Sequence, residues 1–544
     1  MWGHAAVLAL VLAGFLPFIG SSGQFSADEG AAIAQARQLE RGDGWTVPDS
    51  FPQADPDGSA FPYELSTRGG DRYATFAKHP VYPVLLAAAD RVLGNGGMLL
   101  LSIGGTVAAA TISALLARRL DPRLAVPALW VTGFGSPLFF DSYTVIAHTI
   151  GAALAGVAVM CAVRAIERPR RMWSWLIVAA IAAGTVLRTE MLLFALGLSI
   201  ALVVAGRARA MSWLSVAPVV GAITGSLLDR VLLRIAVPGP QSTTAWLEQP
   251  SGGFIGDRLR ALKITWLLPA YDVELTSALL VGAIVSGAIS IWLARARPSE
   301  RDGVRVFAFV CGAAAVAWLL LDGDLVPGLL SALPIVVIGA VAWDRRPLPP
   351  PSALLLVTFA VFSLAVLATQ YASGGSGEWG GRYFAIGIPV LVPVVLLPTV
   401  RVWHALDRPT AMLAISSFVV VSLALTATAA VTLRRYRHDV DVLVSAIDTT
   451  ARAHPNLDGG APVVLTTNGS AARFAYTVVE HTRWLTVSKD RLAEYRDRLR
   501  SLGVESITFV TTDKDDLRVI QDAYRDDGET HPVPGWIVAS LHLR

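Results

Sequence analysis

Charge is scarce in this chain of 544 residues: Asp, Glu, Lys and Arg together make up 16% of it, against roughly 25% in a soluble globular protein. That shortage excludes an ordinary soluble protein and a disordered one. Cysteine is nearly missing as well, and the two present, Cys161 and Cys311, both fall inside apolar stretches. They build neither a disulfide framework nor a thiolate zinc site. No fibrous repeat is present. What abounds is apolar side chains, 53% of the chain with a mean hydropathy of +0.53, which points to the membrane. The net charge is +3, but the cations are mostly Arg and recur in short clusters between apolar runs. Such clustering reads as membrane topology rather than nucleic-acid binding.

A span needs about 20 mostly apolar residues to cross a hydrocarbon core of roughly 30 Å. By that criterion we expect an α-helical polytopic membrane protein with about 13 transmembrane helices. They fall near residues 5–21, 97–117, 124–141, 143–165, 173–188, 190–206, 212–235, 275–294, 304–321, 326–342, 352–372, 383–400 and 410–432. The stretch from 173 to 206 runs about 51 Å at 1.5 Å per residue, too long for one span, and Arg188-Thr189-Glu190 divides it into two short ones.

Orientation follows from the Arg and Lys bias. With the amino terminus cytoplasmic, the short inner loops hold about 17 Arg in roughly 49 residues, while the long outer loops 22–96 and 236–274 hold about 9 Arg and Lys in roughly 114. Arg434, Arg435 and Arg437 run against this, since they follow the last span on the outer side. Residues 1–22 read alternatively as a cleaved signal peptide, although no Lys or Arg precedes the apolar run.

After Thr432 the pattern changes. Strand-length apolar runs such as Val463-Val464-Leu465-Thr466 alternate with charged helical stretches such as 489–502, which argues for a small soluble α/β domain. The expected division is therefore 1–432, membrane part with first outer loop 22–96, and 433–544, soluble outer-face domain. This tail has neither a G-x-G-x-x-G fingerprint nor a Walker loop. It reads as a docking or acceptor-binding module, or as a purely structural one.

An ionisable group at membrane depth costs energy and usually marks a pathway or site. Asp28 and Glu29 follow the first span directly. Ser26 with Glu29 three residues on is a capping-box pattern, so the pair either starts a helix or sets a carboxylate at the membrane boundary to accept a proton from a hydroxyl. The same loop ends in Lys78-His79-Pro80-Val81-Tyr82, where Lys78 is either an interface anchor or a partner for a lipid phosphate. Asp141, in a Ser-Pro-Leu-Phe-Phe-Asp turn, and His148, a few residues into the next span, are a further polar pair. Glu378-Trp379-Gly380-Gly381-Arg382-Tyr383 forms another dense patch. Its Arg382 suits a phosphate at headgroup level or serves as an ordinary anchor. In the expected topology Asp28, Lys78, Arg188, Glu190 and Arg382 all lie on one face, which is harder to explain by chance than any one of them.

In these residues the chain resembles the GT-C superfamily of integral membrane glycosyltransferases, in its protein O-mannosyltransferase and aminoarabinose-transferase-like branch. The likeness rests on Asp28-Glu29 after the first span and on Lys78-His79-Pro80-Val81-Tyr82, similar to a Lys-Pro-Pro-Leu-Tyr segment. The Ser-Pro-Leu-aromatic turn, Leu187-Arg188-Thr189-Glu190 and Trp379-Gly380-Gly381-Arg382-Tyr383 extend it over residues 1–432. The resemblance implies an inverting transfer of a sugar from a polyprenyl-phosphate donor to an outer-face glycan, lipid or protein, at the cytoplasmic membrane. It implies Asp28 as general base, with Glu29 as the alternative, and Lys78, Arg382 and Arg188 as donor-phosphate ligands. His79, Tyr82, Asp141, His148, Glu190, Glu378 and Tyr383 are then substrate or metal candidates. His79 stands where the pattern has proline and His148 where relatives often carry an acid. These departures leave open a divalent metal held by Glu29, His79 or His148, and no cofactor is otherwise indicated. The excess of Arg over Lys, with abundant Ala, Gly and Val, looks like coding from a GC-rich genome such as an actinobacterial one, which makes mannose and arabinose the first donors to try. A polyprenyl-linked transporter or flippase and an inactive lipid-phosphate-binding subunit are the rivals. The internal repeats expected of many transporters are not visible in the sequence.

Overall fold

The computed structural model describes residues 1–20, 23–63, 67–69, 72–76, 78–204, 212–237, 241–243, 253–262, 265–266, 327–343, 350–369, 379–453 and 460–543. Helix α1 (Trp2–Ile19) leads into α2 (Ala27–Arg41), and the first loop then carries three short strands, β1 (Val47–Pro48), β2 (Thr67–Gly69) and β3 (Arg72–Ala74). The membrane part continues with α3 (Val81–Leu120), α4 (Ala125–Gly133), α5 (Pro137–Asp141), α6 (His148–Glu167), α7 (Arg171–Leu187), α8 (Met191–Val204) and α9 (Trp213–Ala236). Strand β4 (Gln241–Thr243) joins the loop sheet in the antiparallel order β1-β3-β2-β4. Then come α10 (Gly253–Leu262), α11 (Leu329–Ala332), α12 (Ile335–Val341), α13 (Pro350–Thr369), α14 (Ile388–Ala405) and α15 (Arg408–Ala453).

Among the described residues, seven helical stretches are long and apolar enough to cross a membrane: α1, α3, α6, α9, α13, Arg382–Ala405 and α15. The expected spans 275–294 and 304–321 lie outside the described residues, as does Cys311. On α9, Ile223, Leu227, Leu228, Val231 and Ile235 are exposed, as a lipid-facing stripe requires.

Where the sequence interrupts its apolar runs, the helices break. Gly94, at φ 62°, kinks α3 and separates an interfacial stretch from the span proper. Ser136 accepts from the Leu138 amide at 3.2 Å and Pro137 opens α5, so the expected span 124–141 is two helices, α4 and α5. Similarly, 326–342 is divided between α11 and α12, with Leu333 and Pro334 at the break. Arg188-Thr189-Glu190 does divide α7 from α8.

Helix α15 is 46 residues long, about 69 Å, so it continues well past its apolar part. Of the three arginines that run against the charge bias, Arg434 and Arg435 are exposed and Arg437 is not. Arg437 is buried and donates to the carbonyls of Gly20 and Tyr143, pinning the end of α1 to the turn before α6. It is a tie between backbone segments.

Beyond α15 come β5 (Val463–Thr466), α16 (Ala471–Phe474), α17 (Tyr476–Val479), β6 (Arg483–Thr486), α18 (Leu492–Ser501), β7 (Ser506–Thr511), α19 (Lys514–Gln521), β8 (Tyr524–Thr530) and β9 (Ile537–Leu543). The sheet order is β6-β5-β7-β9-β8, with β6, β5 and β7 parallel and the last two strands antiparallel. All four residues of β5 and all six of β7 are buried, as parallel strands covered on both faces must be. The first loop and this sheet share their cores. Ile33, Phe61 and Tyr73 pack in one cluster with Leu443, Trp484 and Val538, and Phe51 and Ala60 in another with Leu485 and Phe509. That shared burial carries the tail to the mouth of the membrane part.

Candidate active site

Asp28 sits in the first turn of α2, where Ser26 adopts the extended backbone of a helix cap. Its neighbour Glu29 turns the other way. Glu29 is fully buried and accepts from the amides of Phe25 at 3.1 Å, Ser26 at 3.0 Å and Val145 at 2.9 Å. It thus closes the helix start, as the sequence pattern indicated, and ties α2 to the turn before α6. Burial pushes its carboxyl up, against Arg437 and the three amides.

Asp28, by contrast, is engaged at both oxygens by arginines far away in the chain. Arg382 donates to Oδ2, and Arg473 donates to Oδ1 at 2.9 Å. The position of Arg382 depends on the two preceding glycines, at φ 78° and 74°, conformations that a side chain strains. A Cβ on Gly380 would also come within 2.1 Å of Pro137. Trp379, stacked on Phe140 at 5.6 Å, anchors the same turn. Arg382 then lies over the Tyr383 ring at 6.0 Å.

Arg473 comes from α16 in the tail, and sequence reasoning missed it. Its Nε donates to the Gly469 carbonyl at 3.3 Å and a terminal nitrogen donates to Ser470 Oγ at 3.2 Å. The available signal was Gly30: a Cβ there would fall 1.8 Å from the Arg473 carbonyl, so α2 needs glycine to seat against α16.

Lys78 completes the charge around Asp28. Burial pushes the Asp28 carboxyl up, but Arg382, Lys78 and Arg473 outweigh it and hold it well below the usual carboxylate range. Lys78 itself stays accessible to solvent. The surrounding protein, followed by Arg382 and Arg188, lowers its pKa, while Asp28 and Glu190 oppose that. Arg188, in the break between α7 and α8, makes a forked pair with buried Glu190 at 3.0 and 2.7 Å.

The other expected residues have separate partners. His79, itself at φ 47°, reaches Asp229 at 3.3 Å and Thr189 at 3.2 Å, bridging the first loop to α9 and to the α7–α8 turn. Asp141 and His148 are both buried and stand 3.6 Å apart. Tyr82 and Tyr383 are buried. Glu378 lies outside the described residues. Among the described residues no three His, Cys, Asp or Glu side chains gather as a metal site. Glu29, the first suggested ligand, already serves three amides.

No family model and none of the curated proteins matches this chain. Solved structures do. The chain is similar to the oligosaccharyltransferase of Archaeoglobus fulgidus in complex with Zn and sulfate, at 15% identity and a TM-score of 0.52, over 96% of this chain and 71% of that one. It is also similar to ArnT from Cupriavidus metallidurans bound to undecaprenyl phosphate, at 14% identity and a TM-score of 0.47, over 98% and 97%. The oligosaccharyltransferase likeness carries the fold alone: a mostly helical protein with several helices apolar and long enough to cross a membrane, and a small C-terminal domain containing a β-sheet.

Proposed function

We propose that this chain is a polyprenyl-phosphate-dependent glycosyltransferase of the cytoplasmic membrane, acting on its outer face with inversion at the anomeric carbon. The observation that carries the reading is the lodging of one carboxylate, Asp28, between Arg382 and Arg473, with Lys78 beside it at the mouth of the spans. Guanidinium and ammonium groups gathered in this way are the groups that recognise a phosphate.

In the reaction Arg382 turns from Asp28 to the donor phosphate, joined by the Lys78 ammonium, and Arg188 adds positive potential nearby. Asp28 Oδ2, released, accepts the proton of the acceptor hydroxyl. The hydroxyl oxygen bonds to the anomeric carbon as the bond from that carbon to the phosphate oxygen breaks on the opposite face. Polyprenyl phosphate leaves with the electron pair, its growing charge held by Arg382 and Lys78. Of the two acids, Asp28 is the better base despite its low affinity for protons, because Glu29 is enclosed and committed to backbone amides. Polyprenyl-phosphate mannose and polyprenyl-phosphate arabinose are the donors proposed, with an envelope glycan, lipid or protein as acceptor and the tail on the same outer face.

The test is sugar transfer by the protein in nanodiscs, with radiolabelled polyprenyl-phosphate mannose or arabinose and a crude envelope acceptor. The reading expects transfer by the wild type and its loss in Asp28→Asn. Donor binding without transfer to any acceptor would favour a carrier or an inactive binding subunit instead.

A further inference from the structure

We infer that α10 is a membrane-surface helix whose apolar face beds in phospholipid on the site's side of the membrane, and that this seating sets the turn that carries Arg382. The second half of the inference rests on the reading of Arg382 as a donor-phosphate ligand. The seating of α10 in lipid stands apart from it.

Helix α10 has ten residues, about 15 Å, half of what a span needs. It nevertheless turns large apolar side chains outward: Phe254, Ile255, Leu259 and Leu262 are 69%, 73%, 62% and 36% exposed. At about 100° per residue these four share an arc of about 140°, while Asp257 and Ala261, off that arc, are buried against the protein. A short helix with one apolar face and cations beside it is built to lie in a headgroup layer rather than to cross it. The cations here are Arg258 and Arg260. The Arg258 guanidinium passes over the Phe254 ring at 5.4 Å and donates to the Leu367 carbonyl at 3.1 Å, two residues from the end of α13. The apolar face of α10 thus continues the outward surface of a span, where Leu364 is 67% exposed. Lipid covers that surface, and the same lipid is the occupant of the face continuous with it.

The far end of α10 reaches the site. Thr265 Oγ1 donates to the Ala261 carbonyl at 2.6 Å, so the chain beyond the helix stays on its last turn. The Thr265 carbonyl presses on Gly381, where a Cβ would come within 2.5 Å of it. Trp266 then meets the edge of Phe384 at 5.2 Å. These two contacts bracket Arg382 in the chain, one residue before it and two after. A shift of α10 is therefore passed to the backbone that bears Arg382, and the helix acts through that turn rather than on the phosphate.

Photocrosslinking tests the seating. A benzoylphenylalanine is placed at position 255 or 259 of the full-length protein in nanodiscs of phosphatidylglycerol and phosphatidylcholine, and the adducts are read by mass spectrometry. Phospholipid adducts at both positions are expected. Adducts to protein, within the chain or to a second copy, would overturn the seating, as would no adduct at either position. Titration of undecaprenyl phosphate then tests the coupling, with thermal midpoints to verify folding. Leu259→Asn, which sets an amide in the apolar layer, should bind this lipid roughly tenfold more weakly, and Leu259→Phe should bind it as the wild type does. Equal affinity in Leu259→Asn and wild type would overturn the coupling, and so would an equal loss in both variants. Failure of the wild type to bind undecaprenyl phosphate, with phospholipid adducts intact, would overturn the donor-phosphate reading and leave the seating of α10 standing.

Discussion

Glu29 separates the two adjacent acids most sharply, because replacing it should disturb folding rather than chemistry. Its carboxylate accepts from three amides, those of Phe25, Ser26 and Val145, and it is completely buried. In Glu29→Ala these donors lose their acceptor in a space that water does not reach. Each buried amide left unpaired costs about 1–3 kcal/mol, so the whole change costs roughly 3–6 kcal/mol after partial relaxation. Glu29→Gln keeps one acceptor oxygen and turns an amide group toward a donor, and should cost about half as much. The assay is the thermal midpoint in detergent, with undecaprenyl phosphate binding measured on the fraction that remains folded. The account expects a large loss of midpoint in Ala, a smaller one in Gln, and near-normal lipid binding by folded Glu29→Gln. A variant that melts like the wild type but transfers no sugar would refute this reasoning and make Glu29 the base.

Three further outcomes follow from the site. Lys78 titrates below the ordinary lysine range, so binding of undecaprenyl phosphate should weaken as pH rises through that lowered value, and Lys78→Arg should remove this alkaline limb; identical pH curves for the two proteins would contradict it. Gly380→Ala meets Pro137 and a left-handed backbone at once and should displace Arg382, weakening lipid binding by at least about tenfold; a normal isotherm would show the turn to be tolerant. Gly30→Ala should separate α2 from α16 and expose the junction to protease, and an unaltered cleavage pattern would count against the contact.

The membrane part of this protein was legible because lipid allows so few solutions: apolar runs of span length become helices, and the charged interruption at Arg188 becomes a break, whereas the break at Ser136-Pro137 divides what reads as one span. Asp28 and Arg382 could both be singled out, since each is an ionisable group beside a span. Their direct contact could not be read, lying across 354 positions of chain. Arg473 stayed hidden for a related reason. It sits in a soluble α/β pattern whose polar residues are ordinarily solvated, and only the shared core of the first loop and the sheet brings it to the membrane. Glu29 was visible as a helix starter, but its bond to Val145 depends on tertiary packing. The place of Arg437 could not be read either, because its bonds to backbone carbonyls depend on tertiary packing. His79 offered imidazole at a plausible ligand position, while its bonds to Asp229 and Thr189, which join the loop to the helices, depend on tertiary packing and could not be read.

The central claim is that Arg382 changes partner from Asp28 to a lipid phosphate. A structure of the wild-type protein in nanodiscs with undecaprenyl phosphate bound tests it directly. The account predicts the phosphate within hydrogen-bonding distance of Arg382 and Lys78, Arg473 still on Oδ1 of Asp28, and Oδ2 open toward the outer face. A phosphate seated elsewhere, with Arg382 still on Asp28, would contradict it.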